Sequence, residues 1–224
     1  MKHAKLLALI TLLLLVLAGS PLAQASNGLA VLNNSADVDF PSSITFSLSA
    51  SSDIAITDIR LHYQVNRMSH AQVTSEIYIE VIPDAAIDTE WNWDMRMTGG
   101  LPPGSSVNYW WTVQDAANRK VATDMIEIRI DDDNYNWQSL TEGKVTLYWY
   151  QGDESFAKDL MMAAQQALVR LAEFTGAELE KSVEIYIYAN SRDLQGSMIF
   201  PQEWTGGVAF TRYGIIAIGI STGN

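Results

Sequence analysis

The sequence contains no cysteine, only three histidines, and few basic residues: 14 Lys and Arg against 26 Asp and Glu. Without cysteine there can be no disulfide, no Cys-based catalytic site and no Cys-linked lipid anchor, so folded parts must stand on their cores alone. The formal charge of −12 repels phosphate backbones, which excludes nucleic acid as an expected partner. The acidic residues are spread along the chain, which points to solubility rather than to a binding patch. His3, His62 and His70 include no pair at i, i+4 spacing, and no Glu follows any of them. No Ser/His/Asp order and no phosphate-binding loop is present either.

With 48% hydrophobic and 18% charged residues, the 224-residue chain has a globular composition. That length holds one large or two modest domains, either of which could bury a core. Lys2, His3 and Lys5 form a short basic start, followed by the apolar stretch Leu6–Ala18. About 13 apolar residues suit a signal peptide and fall short of the roughly 20 needed to span a bilayer. Gly19, Ser20 and Pro21 break the run, and Ala23-Gln24-Ala25 supplies a small-x-small cleavage pattern. Residues 1–25 are therefore expected to be a signal peptide, cleaved after Ala25, and the protein to be exported to the cell envelope or beyond. Loss of Lys2 and Lys5 leaves 12 basic against 26 acidic residues, a charge near −14.

Between Gly28 and Ile130, short alternating runs are separated by turn residues. Ile44–Leu48, Ile59–Val65, Ile77–Val81, Trp91–Met95, Val107–Val113 and Met125–Ile130 each place apolar residues at period two. One buried and one wet face is the mark of antiparallel sheets, and the spacing predicts a β-sandwich of about seven strands over residues 26–131. Leu101-Pro102-Pro103-Gly104, Tyr109-Trp110-Trp111 and Asp115–Asn118 resemble the end of a fibronectin type III or immunoglobulin-like domain. Asp131-Asp132-Asp133-Asn134 opens an acidic linker, 132–136. Its spacing matches no calcium-loop pattern, and the expectation is a solvated hinge.

The rhythm then changes. Val145–Tyr150 reads as a strand, and Gly152-Asp153-Glu154-Ser155 offers a helix cap with negative charge at the N-terminus. Phe156, Leu160, Ala164, Leu168, Leu171 and Phe174 make one apolar stripe, closed by Gly176 as a C-terminal cap. Val183–Tyr188 is the next strand, and Gly207–Ile220 a hairpin turning at Arg212–Gly214. Strand–helix–strand–hairpin over 137–224 is the opening of an α/β layer. A sheet with a single covering helix needs more chain to bury its faces, so an incomplete domain is expected.

This second segment resembles the front of peptidase MA-like domains, zinc metallopeptidases of the gluzincin kind. The resemblance rests on Val145–Tyr150 with Gly152-Asp153, on the Phe156-Ala157 helix start and on Val183–Tyr188. Asn190-Ser191-Arg192-Asp193-Leu194 and Gly206-Gly207-Val208-Ala209-Phe210 extend it. It implies that a helix bearing His-Glu-x-x-His should follow the hairpin, with two histidines on zinc and the Glu as general base. None of that motif is in these 224 residues. The chain is expected to hold no catalytic residue or metal ligand, with zinc and a peptide or protein substrate belonging to the full-length protein. The resemblance also implies that the edge strand Gly206, Gly207, Val208, Ala209 and Phe210 pairs with substrate backbone, the glycines allowing close approach. The plain alternative is an ordinary hairpin edge.

Other features have simpler readings. Trp91 and Trp93 share one strand face, Trp110 and Trp111 face opposite ways, and packing accounts for most of these rings and for Tyr109. His62 is expected to point outward, and Asp153 with Glu154 to cap a helix rather than act as a catalytic pair. Asn33-Asn34-Ser35 fits an N-glycosylation pattern that is common by chance. Two functions remain: the front of an exported zinc metallopeptidase whose sandwich is a spacer or docking module, or a non-catalytic extracellular protein whose sandwich recognises a glycan or protein. Export itself is directly testable: intact-mass analysis of secreted material should give a chain beginning at Ser26. Retention of residues 1–25 in the membrane fraction would refute the signal-peptide reading.

Overall fold

The computed structural model describes residues 24–26, 28–68 and 71–221. The leader lies outside these residues up to Ala23, as does His70. The fold is mostly β, with an eight-stranded sheet followed by a five-stranded one and few helices.

The first sheet comprises β1 (Gln24–Ser26), β2 (Leu29–Asp39), β3 (Ser43–Val65), β4 (Thr74–Ile79), β5 (Asp84–Asp94), β6 (Ser106–Asp115), β7 (Lys120–Ala122) and β8 (Ile126–Arg129). Two strands expected separately, Ile44–Leu48 and Ile59–Val65, are one continuous β3 of 23 residues. Its first half pairs with β2 and β5, and its second half with β4 and β6. Register breaks between Ser51 and Ile56 and between Ile56 and Asp58 separate the halves. Such irregularities bend a strand and sharpen its twist, which lets one strand serve two layers. Ring contacts show the layers facing each other. Phe46 of the first half meets Tyr109 of β6 at 5.0 Å, and Tyr63 of the second half meets Trp93 of β5 at 4.8 Å. Between them lie Ile44, Leu48, Ile59, Leu61, Trp111 and Val113, all buried. Each such side chain contributes roughly 1.5–3 kcal/mol by leaving water.

The second sheet contains β9 (Gln138–Glu142), β10 (Val145–Trp149), β11 (Val183–Tyr188), β12 (Gly207–Phe210) and β13 (Ile215–Gly219), in the order β12-β13-β11-β10-β9. β10, β11 and β13 are parallel, and the two outer strands run antiparallel to their neighbours. Helix α1 (Glu154–Thr175) makes the crossover from β10 to β11. The Asp153 carboxylate accepts the Phe156 amide at 2.9 Å, and Gly176 closes the helix at φ 71°, the capping roles expected of both. Ala157 and Met161, with Phe156, Leu160 and Leu168, pack on Val145, Leu147, Trp149, Ile185 and Ile187. The expected stripe then runs off the sheet: Leu171 is 49% exposed and Phe174 85%. Helical spacing alone placed both in the core, but α1 is longer than the strands it covers.

The opposite face of this sheet carries Tyr148, Tyr186 and Tyr188, with Ile215, Ala217 and Leu194 of the short helix α2 (Ser191–Gly196). Here the expected solvated hinge is corrected. Asp132 is only 2% exposed: the Tyr188 hydroxyl donates to its Oδ2 at 2.8 Å, and the Asn134 side-chain amide to its Oδ1 at 2.9 Å. A hydroxyl buried on an aromatic face needs an acceptor, and the linker supplies it. Asp131 and Asp133, on either side, remain exposed.

The two sheets touch closely. Arg129 of β8 donates through Nη2 to Tyr186 Oη at 2.7 Å and to Glu184 Oε2 at 2.8 Å. Lys181 Nζ donates to the Met68 carbonyl at 2.6 Å, and the Met68 amide to the Arg212 carbonyl at 2.7 Å. Gly104, at φ +82°, lies against this junction, and a Cβ there would strike the Tyr186 hydroxyl and the Glu184 carboxylate. Gly104→Ala should therefore cost about 2 kcal/mol or more in urea unfolding, from strain and overlap together. Gly143→Ala, also at positive φ but with open space around it, should cost only about 1 kcal/mol. Equal losses would mean that the junction does not constrain Gly104.

Candidate functional site: a free sheet edge and the groove beside it

The expected site segment, Gly206–Phe210, lies at one edge of the second sheet. Gly206 precedes the strand, and its carbonyl accepts the Gly219 amide at 3.0 Å. Gly207–Phe210 form β12, paired on one side with β13 in the register Gly207↔Ile218, Val208↔Ala217, Ala209↔Ile216, Phe210↔Ile215. Antiparallel ladders alternate bonded and non-bonded pairs. Because Gly206 bonds Gly219, the bonded positions continue at Val208 and Phe210. The N–H and C=O groups of Gly207 and Ala209 therefore point away from β13, along an edge that pairs with no other strand among the described residues.

The side chains of Val208 and Phe210 turn to the tyrosine face, where they pack against the cluster of Tyr186, Tyr188 and Leu194. The two glycines differ in role. A Cβ on Gly206 would meet nothing within 4 Å, whereas one on Gly207 would press Ile218 Cγ1 at 3.2 Å. Gly207 thus serves packing between β12 and β13, and only Gly206 leaves open space.

A groove of about 310 Å³ runs beside this strand. Val208 and Phe210 form one wall and Met198, Phe200 and Trp204 another, while Pro41, Gly99, Gly100 and Leu101 of the first sheet's region close it. Among the described residues none that lines it is charged. The connection before β12 is held in shape from α2: Gln195 Nε2 donates to the Glu203 carbonyl at 2.9 Å and to the Thr205 carbonyl at 3.3 Å. Helix α2 is itself capped by the Asn190 side chain, which accepts the Asp193 amide at 2.9 Å, and anchored by the buried Leu194. Phe200 sits at φ 52°, a region that bulky residues rarely occupy, with its ring 76% exposed. Trp204 is 83% exposed. Neither aromatic has an alternating or helical neighbour pattern, so sequence periodicity offered no signal for the groove.

Charged and phenolic groups line the inner side of the tyrosine face. The Tyr150 hydroxyl donates to Asp193 Oδ2 at 2.6 Å and accepts the Ala189 amide at 2.9 Å. Burial pushes the Tyr188 phenol well above its ordinary range, with the Asp132 carboxylate and Tyr135 adding to the effect and a hydrogen bond with Ser197 opposing it. Burial works against the charge on Arg129, but hydrogen bonding to Glu184, with Tyr186 and Asp131, outweighs it and raises its pKa. The Tyr188 phenol and the Arg129 guanidinium, both shifted upward, keep their protons across neutral pH and act as fixed supports.

The remaining sequence candidates are scattered. Trp93, Tyr109 and Trp111 are buried, and Trp91 stacks between Phe46 and Tyr63 at 6.0 and 5.9 Å. The faces of these rings are taken by the core. His62, expected to point outward, is half-buried: it stacks flat on Trp110 at 5.1 Å, with Nε2 2.8 Å from Thr112 Oγ1 and Nδ1 3.5 Å from Glu76 Oε2. Among the described residues no three His, Cys, Asp or Glu side chains converge as metal ligands, and His62 stands alone in the first sheet. The described residues do not fit a zinc centre. No helix among the described residues is long and apolar enough to cross a membrane.

Residues 163–224 match the Peptidase MA superfamily model. The matched region begins within α1 and takes in β11, α2, β12 and β13, so this part of the chain is peptidase MA-like. No curated protein matches the sequence. Among solved structures, a bromine derivative of BhCBM56 aligns at 8% identity and a TM-score of 0.27, covering 48% of this chain and 97% of its own. A β-glucuronidase of Bacteroides uniformis aligns at 7% identity and a TM-score of 0.26, covering 72% of this chain and 23% of its own. These likenesses are too distant to support any functional statement.

His62 gives this region a pH test. Burial against Trp110 lowers its pKa below the ordinary value of 6.5, with Lys120 and Arg60 adding to the effect and Glu76 opposing it. Below pH 6.5 the unfolded chain takes up a proton that the folded chain resists, so stability falls on acidification. Carboxylates held low, such as Asp53 and Asp94, act only below their ordinary 3.8. Urea unfolding of His62→Asn should therefore lose less stability than the parent between pH 6.5 and 5. Parallel curves would show that His62 titrates alike in both states.

Proposed function

We propose that this chain is the front part of an exported zinc metallopeptidase-like protein. On this reading, an immunoglobulin- or fibronectin type III-like sandwich over 26–131 and an acidic linker precede the opening of a gluzincin-type domain over 137–224. This reading is carried by the family match over residues 163–224, which takes in β12, a strand that pairs with β13 on one side and with no other strand among the described residues. Hydrolysis would be carried out by zinc ligands and a general base outside these residues. The substrate would be a peptide or protein chain laid along β12 by strand addition.

Two features support a domain with further cover. Helix α1 lies over β9 and β10 and packs on Ile185 and Ile187 of β11, and Ile216 of β13 stays half-exposed on that face. Leu171 and Phe174 extend the bare apolar surface, and apolar faces of this kind are normally buried by a second layer. The two-layered first sheet, with β2, β3 and β5 in one layer and β4, β3, β6 and β8 in the other, supports the sandwich assignment. Cleavage after Ala25 would leave only Ser26 of β1, so the mature first sheet would begin at β2. The sandwich would then dock the enzyme at the cell envelope. The alternative of a glycan-binding sandwich is weakened by the packing of Trp91, Trp93, Tyr109 and Trp111, whose faces are not free to stack on sugars.

The test is the reading frame after Asn224. It should encode His-Glu-x-x-His within roughly 10–20 residues, on an amphipathic helix, while residues 26–224 alone should bind no stoichiometric zinc. A stop codon at that point, or one zinc per chain on residues 26–224, would overturn the proposal.

A further inference from the structure

The groove beside β12 has two independent properties that point to the same ligand. Gly207 and Ala209 present outward N–H and C=O groups in alternation, a pattern that only another extended backbone matches. On the tyrosine face of the same strand lies an uncharged cavity of about 310 Å³, flanked by the exposed rings of Phe200 and Trp204. The chain carries 26 acidic residues, yet none lines this cavity.

We infer that β12 and this groove form a side-chain subsite for an extended polypeptide carrying a bulky uncharged residue, and that the first sheet's Gly99–Gly100–Leu101 loop supplies one wall of it. The inference rests on the proposed peptide-binding role of β12, but not on a zinc centre. It gives the first sheet a part in specificity that a spacer would not have. A residue X placed opposite Val208 directs its side chain to the same face as Val208 and Phe210, and so into the cavity. Its own N–H then points away from β12, while its two neighbours in the ligand bond Gly207 and Ala209. Gly100 sets the wall close: a Cβ there would lie 2.9 Å from Ile199 Cγ1. At Gly99 a Cβ would meet nothing within 4 Å, so a side chain at that position has room to reach the mouth.

The experiment uses the full chain and fluorescein-labelled, end-blocked heptapeptides of alternating Thr and Ser with a central X, read by anisotropy. Peptides with Phe or Leu at X should bind about tenfold or more tightly than Ala, as the buried apolar area requires, and Lys should gain nothing over Ala. N-methylation of either neighbour of X should abolish binding, and N-methylation of X itself should leave it intact. Trp204→Ala should bring the Phe peptide close to the Ala peptide. Gly99→Asp and Gly99→Asn share one backbone cost, because both residues adopt positive φ more readily than most. Only the Asp variant should weaken Phe and favour Lys. Equal binding of Phe, Ala and Lys peptides, indifference to N-methylation, or identical behaviour of the two Gly99 variants would overturn the inference. So would a dimer through β12 that peptide does not compete away. Phe selectivity with no His-Glu-x-x-His downstream would leave this subsite standing and remove the peptidase; the motif without selectivity would do the reverse.

Discussion

The second sheet turns a row of tyrosines toward the first, and each buried hydroxyl there must find a partner or cost about 1–3 kcal/mol. Apart from Glu184, which accepts from Tyr186 on the same strand at 3.2 Å, the partners come from outside the sheet. Arg129 at the end of β8 serves Tyr186, Asp132 in the connecting segment serves Tyr188, and Asp193 on α2 serves Tyr150. Once these bonds form, the first sheet, the connection and α2 are tied to one aromatic surface. The short stretch between the sheets is therefore part of the core, and Tyr213 packs against the hydrophobic clusters on both sides.

That tie determines what lies beside the free edge. Helix α2 is held by Leu194 and by Asp193, and through Gln195 it shapes the connection that carries Phe200 and Trp204. On the other side, Gly100 of the Gly99–Leu101 loop lies against Ile199, a few residues before Gly104 meets Tyr186. The groove is thus a consequence of joining two sheets, with one wall from each. The opposite edge, β9, differs: Gln165 of α1 donates to the Glu142 carbonyl, and apart from Leu140, which packs under α1, the strand's side chains are polar and exposed.

The first sheet shows why a strand can change layer without a loop. β3 keeps its alternation of buried and open residues through Ala50, loses register, and resumes it at Ile59. The break lets Phe46 and Tyr63 reach rings on strands that are not their hydrogen-bonded neighbours. His62 follows from the same pairing, since the strands beside it bring Glu76, Trp110 and Thr112 around a residue that alternation alone places on the outer face.

The order of elements was legible from residues alone wherever a local period or cap declared it. The alternation of β6, the Asp153 and Gly176 caps of α1, and the hairpin of β12 and β13 all depend on neighbours within a few positions, so sequence spacing suffices to find them. β9 and α2 carry no such period, being mostly polar or very short, while in β2 a register shift after Val31 interrupts it, and all three escaped that reading. What only tertiary packing decided is which faces are covered. The burial of Asp132, the exposure of Leu171 and Phe174, the embedding of His62 and the two-walled groove all depend on residues far apart in the chain. Period and propensity are local quantities, whereas desolvation is settled by whatever the rest of the fold places opposite.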